Sequence, residues 1–161
     1  MVAAAAFGAA FWAASAERGL ATRCSIVVAG TRSVPTPALA LGRRGEDLTH
    51  RYLRRHGFII VARNYRLSSG DGEADLIAWE GETLVFVEVK TRETGAFGPP
   101  ERAIGEQKRT HLLRIAREYT RKTGAAWERI RFDVVGVVLT KPPVIELHRD
   151  ALSTKSRRQS A

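Results

Sequence analysis

The run EADLIAWEGETLVFVEVK, residues 73–90, constrains this chain more than any other stretch. Two apolar segments, Glu73–Trp79 and Thr83–Lys90, flank the short connection Glu80-Gly81-Glu82. A link that short joins antiparallel neighbours, so the pair is predicted to be a β-hairpin. Side chains alternate across a strand. Leu84, Phe86, Glu88 and Lys90 therefore share one face, and Val85, Val87 and Val89 the other. On the preceding strand Glu73, Asp75, Ile77 and Trp79 share a face. With the turn centred near Gly81, Asp75 falls opposite residues 87 and 88. Asp75 and Glu88 are thus expected side by side, with Lys90 one step further along.

Two carboxylates held close in a partly apolar setting repel one another. Either one takes a proton or a cation sits between them. All-oxygen ligation suits Mg²⁺ or Mn²⁺, and Mg²⁺ needs only one or two carboxylates because it keeps several waters. Such a water is a potential nucleophile, and the metal neutralises charge on a phosphate. Lys90 could then orient the water, help deprotonate it, or stabilise a phosphoryl oxygen. Glu46, at the edge of an earlier helical stripe, is a third candidate carboxylate, and Gly45 beside it would let that helix approach the sheet. The plain alternative is a Glu88–Lys90 ion pair on a solvated strand end.

The remaining pattern places this hairpin in a larger sheet. Leu41, Gly45, Leu48, Thr49, Tyr52 and Leu53 form one stripe of an amphipathic helix that stops at Gly57. FIIVARNYRL reads as a strand, SSGDG as a turn, and TGAFGPP as an irregular loop. A second helix, from about Glu101 or Gly105 to Lys122, has the stripe Ile104, Leu112, Ile115, Ala116 and Tyr119. RFDVVGVVLT is apolar enough for a strand buried on both faces, and VIELH is a shorter edge strand. The order is α-β-β-β-α-β-β: an α/β fold in which helices cover a mixed sheet.

The organisation is read as an Ala-rich extension over residues 1–40, one domain over 41–152, and a basic disordered tail over 153–161. The first 40 residues leave three readings open: an export signal, a disordered extension, or a wrongly assigned start. The absence of Lys or Arg before Arg18 favours the last two. TRSVPTPALA reads as a linker. The single cysteine, Cys24, excludes a disulfide framework and a cysteine-based zinc site. That is compatible with a cytoplasmic location, and no stretch reads as a membrane span.

The net charge is +9, and most of the 26 Lys and Arg residues are Arg, whose forked guanidinium suits phosphate. A polyanionic partner is expected, most simply nucleic acid and DNA in particular. Arg102, Arg109, Arg114, Arg117 and Arg121 would lay a positive surface along a duplex, adding salt-dependent, sequence-independent affinity. Phe97, in the irregular loop, could wedge against bases or pack over the core. His50, His56, His111 and His148 show no metal spacing and read as surface residues. Trp79, Trp127 and Phe132 read as core. Asp133 is expected to pair with Arg131 or a backbone group.

GRRGEDLTHRYLRRHGFIIVARNYR, GEADLIAW, LVFVEVKTR, FGPPERAIGEQKRTHLLRIAREY and RFDVVGV together resemble, in order, the YraN family of uncharacterised bacterial proteins. That family is similar to the restriction-endonuclease-like superfamily, whose PD-(D/E)xK core includes Holliday-junction resolvases. The resemblance implies a metal-ligating Asp at Asp75, the E-x-K pair at Glu88 and Lys90, a first-helix Glu at Glu46, and a backbone carbonyl ligand at Val89. It implies phosphate contacts from Gln107 and Lys108 at the start of the second helix, and a symmetric homodimer. The implied function is Mg²⁺-dependent, structure-specific cleavage of branched or recombination-type DNA. The alternative is a nucleic-acid-binding module that retains the fold without cleaving. Ala74, where the family usually has Ile, the long SSGDG turn and the loosely matching VIELHRDAL depart from the family pattern. Glu73 could be a further acid of the site or could hold the turn.

Overall fold

A computed structural model describes residues 36–95 and 104–152. The expectations for residues 1–35, Phe97, Arg102, a helix start at Glu101 and the tail from residue 153 fall outside the described residues.

Helix α1 spans Pro37–Arg55. Thr36 caps it by accepting a hydrogen bond from the Leu39 amide on its hydroxyl (3.3 Å), and Pro37 supplies the preset φ of a first helical residue. This corrects the sequence reading at TRSVPTPALA. Its last four residues are the first turn of α1, because Thr-Pro is a start signal as well as a linker signature.

Strands β1 (Ile59–Arg66), β2 (Glu73–Glu80) and β3 (Thr83–Arg92) form the expected antiparallel meander. The hairpin register runs from Glu80↔Thr83 to Leu76↔Val87, so the next step sets Asp75 against Glu88 as the turn predicted. Helix α2 (Glu106–Thr123) then carries the chain over to β4 (Ile130–Val138), which pairs parallel to β3. Gly124 closes α2 in the left-handed conformation, at φ 73°. The edge strand β5 (Val144–His148) returns antiparallel to β4, giving a five-stranded mixed sheet in sequential order.

The alternation in β3 divides the core between the two faces of the sheet. Leu84 and Phe86 pack with Ile77, Phe132 and Val134 beneath Leu112, Ile115 and Ala116 of α2. Val85 and Val87 pack with Leu76, Val135 and Val137 beneath Leu53 of α1. The helices therefore cover opposite faces, and β3, central in the sheet, is buried from Leu84 to Glu88. Gly45 sits where α1 meets β3. A Cβ there would lie 1.8 Å from Thr91 Oγ1, so only glycine permits this approach.

Phe132 is core and Trp79 packs against the α2-side cluster, but Trp127 does not belong to either. It is 40 % exposed, in a 3₁₀ turn (Trp127–Arg129) ahead of β4, with the Arg117 guanidinium carbon 5.9 Å from its ring centroid. Its apolar ring faces a cation at the surface rather than the core. Asp133 is buried and paired as expected: Arg131 donates to both its oxygens at 2.8 Å, and the Asp150 amide donates to Oδ1 at 3.0 Å. Among the described residues, no helix is long and apolar enough to cross a membrane.

Candidate functional site

The β2–β3 ladder ends at Leu76↔Val87, and a side chain takes over from it. The Val89 amide donates to Asp75 Oδ2 at 2.7 Å. Asp75 thus ties the two strands together just where their backbones stop pairing. Glu88 lies beside it, 3 % exposed, on the α2 face of the sheet. Lys90, two residues along on the same face, donates to Glu88 Oε1 at 2.9 Å.

A second lysine completes the cluster. Lys108, in the first turn of α2, points back toward the helix start as helical side chains do. Its Nζ lies 2.7 Å from Glu88 Oε2 and donates to the Glu73 carbonyl at 2.9 Å. The contact with Oε2 has the distance of an ion pair but not the angle of a hydrogen bond, so that buried oxygen has no hydrogen-bond partner. The sequence reading assigned Lys108 to phosphate contact. The structure puts it against the carboxylates.

The electrostatics follow from this packing. Burial, then the Glu88 charge, pushes the Asp75 carboxyl from the ordinary range up to about 7, and the Glu46 charge adds to the effect. The Val89 amide and the Lys108 ammonium oppose it. Of the two outcomes open to a crowded carboxylate pair, the site shows both: cations at Glu88, and a raised proton affinity at Asp75.

Glu46 projects from α1, on the opposite face of the sheet, and reaches the cluster indirectly. In the amide orientation that satisfies both neighbours, Asn64 donates to Glu46 Oε2 at 3.2 Å and to Glu73 Oε1 at 3.0 Å. Glu73 also forms an ion pair with Arg66 at 2.7 Å. Asn64 lies in β1 between the pairs Arg63↔Leu76 and Tyr65↔Ala74, which puts it opposite Asp75, and its φ is +49°. Sequence reasoning did not single it out. The available signal was an Asn inside a strand pattern, since Asn is among the residues that tolerate a left-handed backbone.

The other expected residues lie apart from this cluster. Gln107, Arg114 and Arg117 are exposed and Arg109 is half-buried. Arg114 and Arg117 line a shallow groove of about 300 Å³ with Leu67, Ser69, Glu118 and Arg121. Its edge is held by Glu118, which accepts from the Ser68 hydroxyl at 2.9 Å and from Lys122 at 2.6 Å.

The donor set suits a hard divalent cation. Asp75 and Glu88 offer carboxylate oxygens, and Glu88 Oε2 is buried with no directed hydrogen bond and only the Lys108 ammonium beside it, at 2.7 Å. No group of three or more His, Cys, Asp or Glu side chains converges among the described residues. Two carboxylates are enough for Mg²⁺, which fills its shell with water. At Val89 the structure fixes the amide, and the carbonyl role rests on the resemblance.

A family model described as "Uncharacterised protein family UPF0102" matches residues 45–137, which include Glu46, Asn64, Asp75, Glu88, Lys90 and Lys108. The chain belongs to the UPF0102 family. A UPF0102 protein of Solibacter usitatus is 53 % identical over 110 residues, covering 68 % of this chain and 83 % of the relative. One from Rhodococcus jostii is 49 % identical over 115 residues, 70 % of this chain and 96 % of the relative. One from Dictyoglomus thermophilum is 41 % identical over 101 residues, 63 % and 84 % respectively. UPF0102 is the YraN family that the five motifs resembled, and the matched span holds both the hairpin and the helix start that meet at the site.

Proposed function

We propose that this UPF0102 chain binds nucleic acid and is a divalent-metal-dependent, structure-specific endonuclease for branched or recombination-type DNA. One observation carries the reading. Asp75 and Glu88 stand together at the end of the β2–β3 ladder, with Lys90 2.9 Å from Glu88, in a chain of net charge +9. The order acid, acid-x-lysine on adjacent strands is what the resemblance to PD-(D/E)xK nucleases implies.

Asp75 and Glu88 would hold Mg²⁺ or Mn²⁺, with the Val89 carbonyl, and the ion would supply Lewis acidity toward the phosphate. Lys90 has its ammonium at the rim of the site, where it can orient a water or meet charge on a phosphoryl oxygen. Glu46 adds negative potential through the Asn64 bridge. Arg109, Arg114 and Arg117 would supply positive charge along α2 to a phosphate backbone and Gln107 a neutral donor at the helix start, while Lys108 would act from beside Glu88. A two-fold junction would be matched by a symmetric homodimer.

The test is purified protein with four-way, flap and linear DNA, in Mg²⁺ or Mn²⁺. Wild type should cleave a branched substrate and Glu88→Ala should not. If both are equally inactive on every substrate, the nuclease reading is lost. Salt-dependent DNA binding that survives EDTA and Asp75→Asn would then identify a non-catalytic binding module.

A further inference from the structure

The two oxygens of Glu88 are held differently. Oε1 accepts a directed hydrogen bond from Lys90 at 2.9 Å. Oε2 has only the charge of Lys108, at 2.7 Å and off the hydrogen-bonding angle. Lys108 has a separate anchor in the Glu73 carbonyl, which its Nζ meets at 2.9 Å. Glu73 opens β2, two residues before Asp75, so this anchor lies at the same end of the hairpin as the carboxylates. An ammonium has three donors and can keep one bond while giving up another contact.

We infer that Lys108 is a positioning residue that acts as a tethered counter-cation: it neutralises Glu88 Oε2 until a divalent ion takes that oxygen, and then remains at the rim on the Glu73 carbonyl. The inference deepens the metal-site reading above and rests on it. Buried carboxylates are costly without a cation, and Glu88 is 3 % exposed. Lys90 alone leaves one of its oxygens bare. Lys108 supplies the second cation from α2, the element that also brings the basic surface. An ammonium and a divalent ion close to the same oxygen repel one another, so the lysine and the metal compete for Oε2.

The competition has a direction that a structural role would not produce. Removing a purely structural ion pair weakens everything that depends on the site. Removing a competitor tightens the metal. Lys108→Gln keeps a donor for the Glu73 carbonyl while losing the charge, and Lys108→Met removes both. Calorimetric titration with Mn²⁺ should give about tenfold tighter binding for either variant than for wild type, equivalent to about 1.4 kcal/mol. Urea unfolding adds a second readout: in EDTA the Lys108→Gln protein should be less stable than wild type, and in saturating Mn²⁺ the order should reverse. If wild type binds Mn²⁺ and Lys108→Gln binds it equally or more weakly, the competition is overturned and the metal site stands. If neither binds Mn²⁺, both readings fall together.

Discussion

Asp75 accepts the Val89 amide across the last step of the β2–β3 hairpin, at 2.7 Å, so one carboxylate serves both as a strand tie and as a member of the candidate metal pair. These two duties separate on substitution. Asp75→Ala removes the acceptor and leaves a half-buried amide unpaired, which should lower stability by about 1–3 kcal/mol. Asp75→Asn keeps an oxygen for Val89 and deletes a charge that burial and Glu88 both oppose. At pH 8 and without divalent ions it should be at least as stable as wild type, yet lose Mn²⁺ binding. Urea midpoints and Mn²⁺ titration of the two variants check this. Equal destabilisation by Ala and Asn would remove the proposed split.

Gly45 gives a prediction about how α1 is seated. A Cβ at this position meets Thr91 Oγ1 at 1.8 Å and Thr91 Cβ and Cγ2 at 2.9 Å. Gly45→Ala should therefore cost about 1–3 kcal/mol, the usual range for overpacking a tight contact, despite the better helix propensity of Ala. Thr91→Ala removes the two outer atoms but not Cβ, so the double variant should recover only part of the loss. Thermal unfolding of the two single variants and the double variant measures the coupling. A stabilising Gly45→Ala would mean that α1 moves away freely.

The hairpin was legible in the sequence because its chemistry is local. A short link fixes the register to within one residue, the structure closing it as the two-residue connection Gly81-Glu82, and alternation fixes the faces, so Asp75 beside Glu88 follows from short-range geometry alone. Gly45 was legible for a related reason: a glycine on an apolar helical stripe marks a close approach. Lys108 was only half legible. Its place in the first turn of α2 could be read, but its contact with Glu88 depends on how α2 lies across β2 and β3, which no local rule supplies. Trp127 misled because hydrophobicity does not reveal that a neighbouring Arg117 will cover an indole at the surface. Pro37 misled because Thr-Pro is used both to start helices and to space linkers.

Glu118 governs the pH response of the β1–β2 connection. Lys122 first, then the Ser68 hydroxyl and amide, hold its carboxyl below the usual range. A depressed pKa in the folded state means that its ionised form is favoured there. Its contribution is present above the unfolded carboxyl pKa and is lost as pH falls through the folded value. Because Lys122 is exposed and solvent screens the pair, the contribution is small. Glu118→Gln should therefore be slightly less stable than wild type at pH 7 and indistinguishable from it near pH 2. Urea denaturation at the two pH values decides the matter. A difference that grows toward acid would have the wrong sign.

Asn64 joins Glu46 of α1 to Glu73 of β2 from a backbone position with φ +49°, so its side chain and its main chain make separate demands. Most side chains in the left-handed region cost about 1–2 kcal/mol, whereas glycine costs nothing there sterically. Asn64→Ala should lose both the bridge and the backbone tolerance. Asn64→Gly should lose the bridge alone and come out about 1 kcal/mol more stable than the Ala variant. Asn64→Asp keeps the tolerance of a left-handed backbone but places a third carboxylate between two others, so it should be destabilised at pH 8 and partly rescued by molar salt, which screens the repulsion. Urea unfolding of the three variants at low and high salt separates these effects. Equal stability of the Ala and Gly variants would show that the backbone is not held at positive φ, and an Asp variant matching wild type would show that Asn64 does not bridge the two glutamates. With the bridge confirmed, Glu46 is coupled to the hairpin through a neutral donor, which lets α1 bring a third negative charge toward Asp75 without direct carboxylate contact.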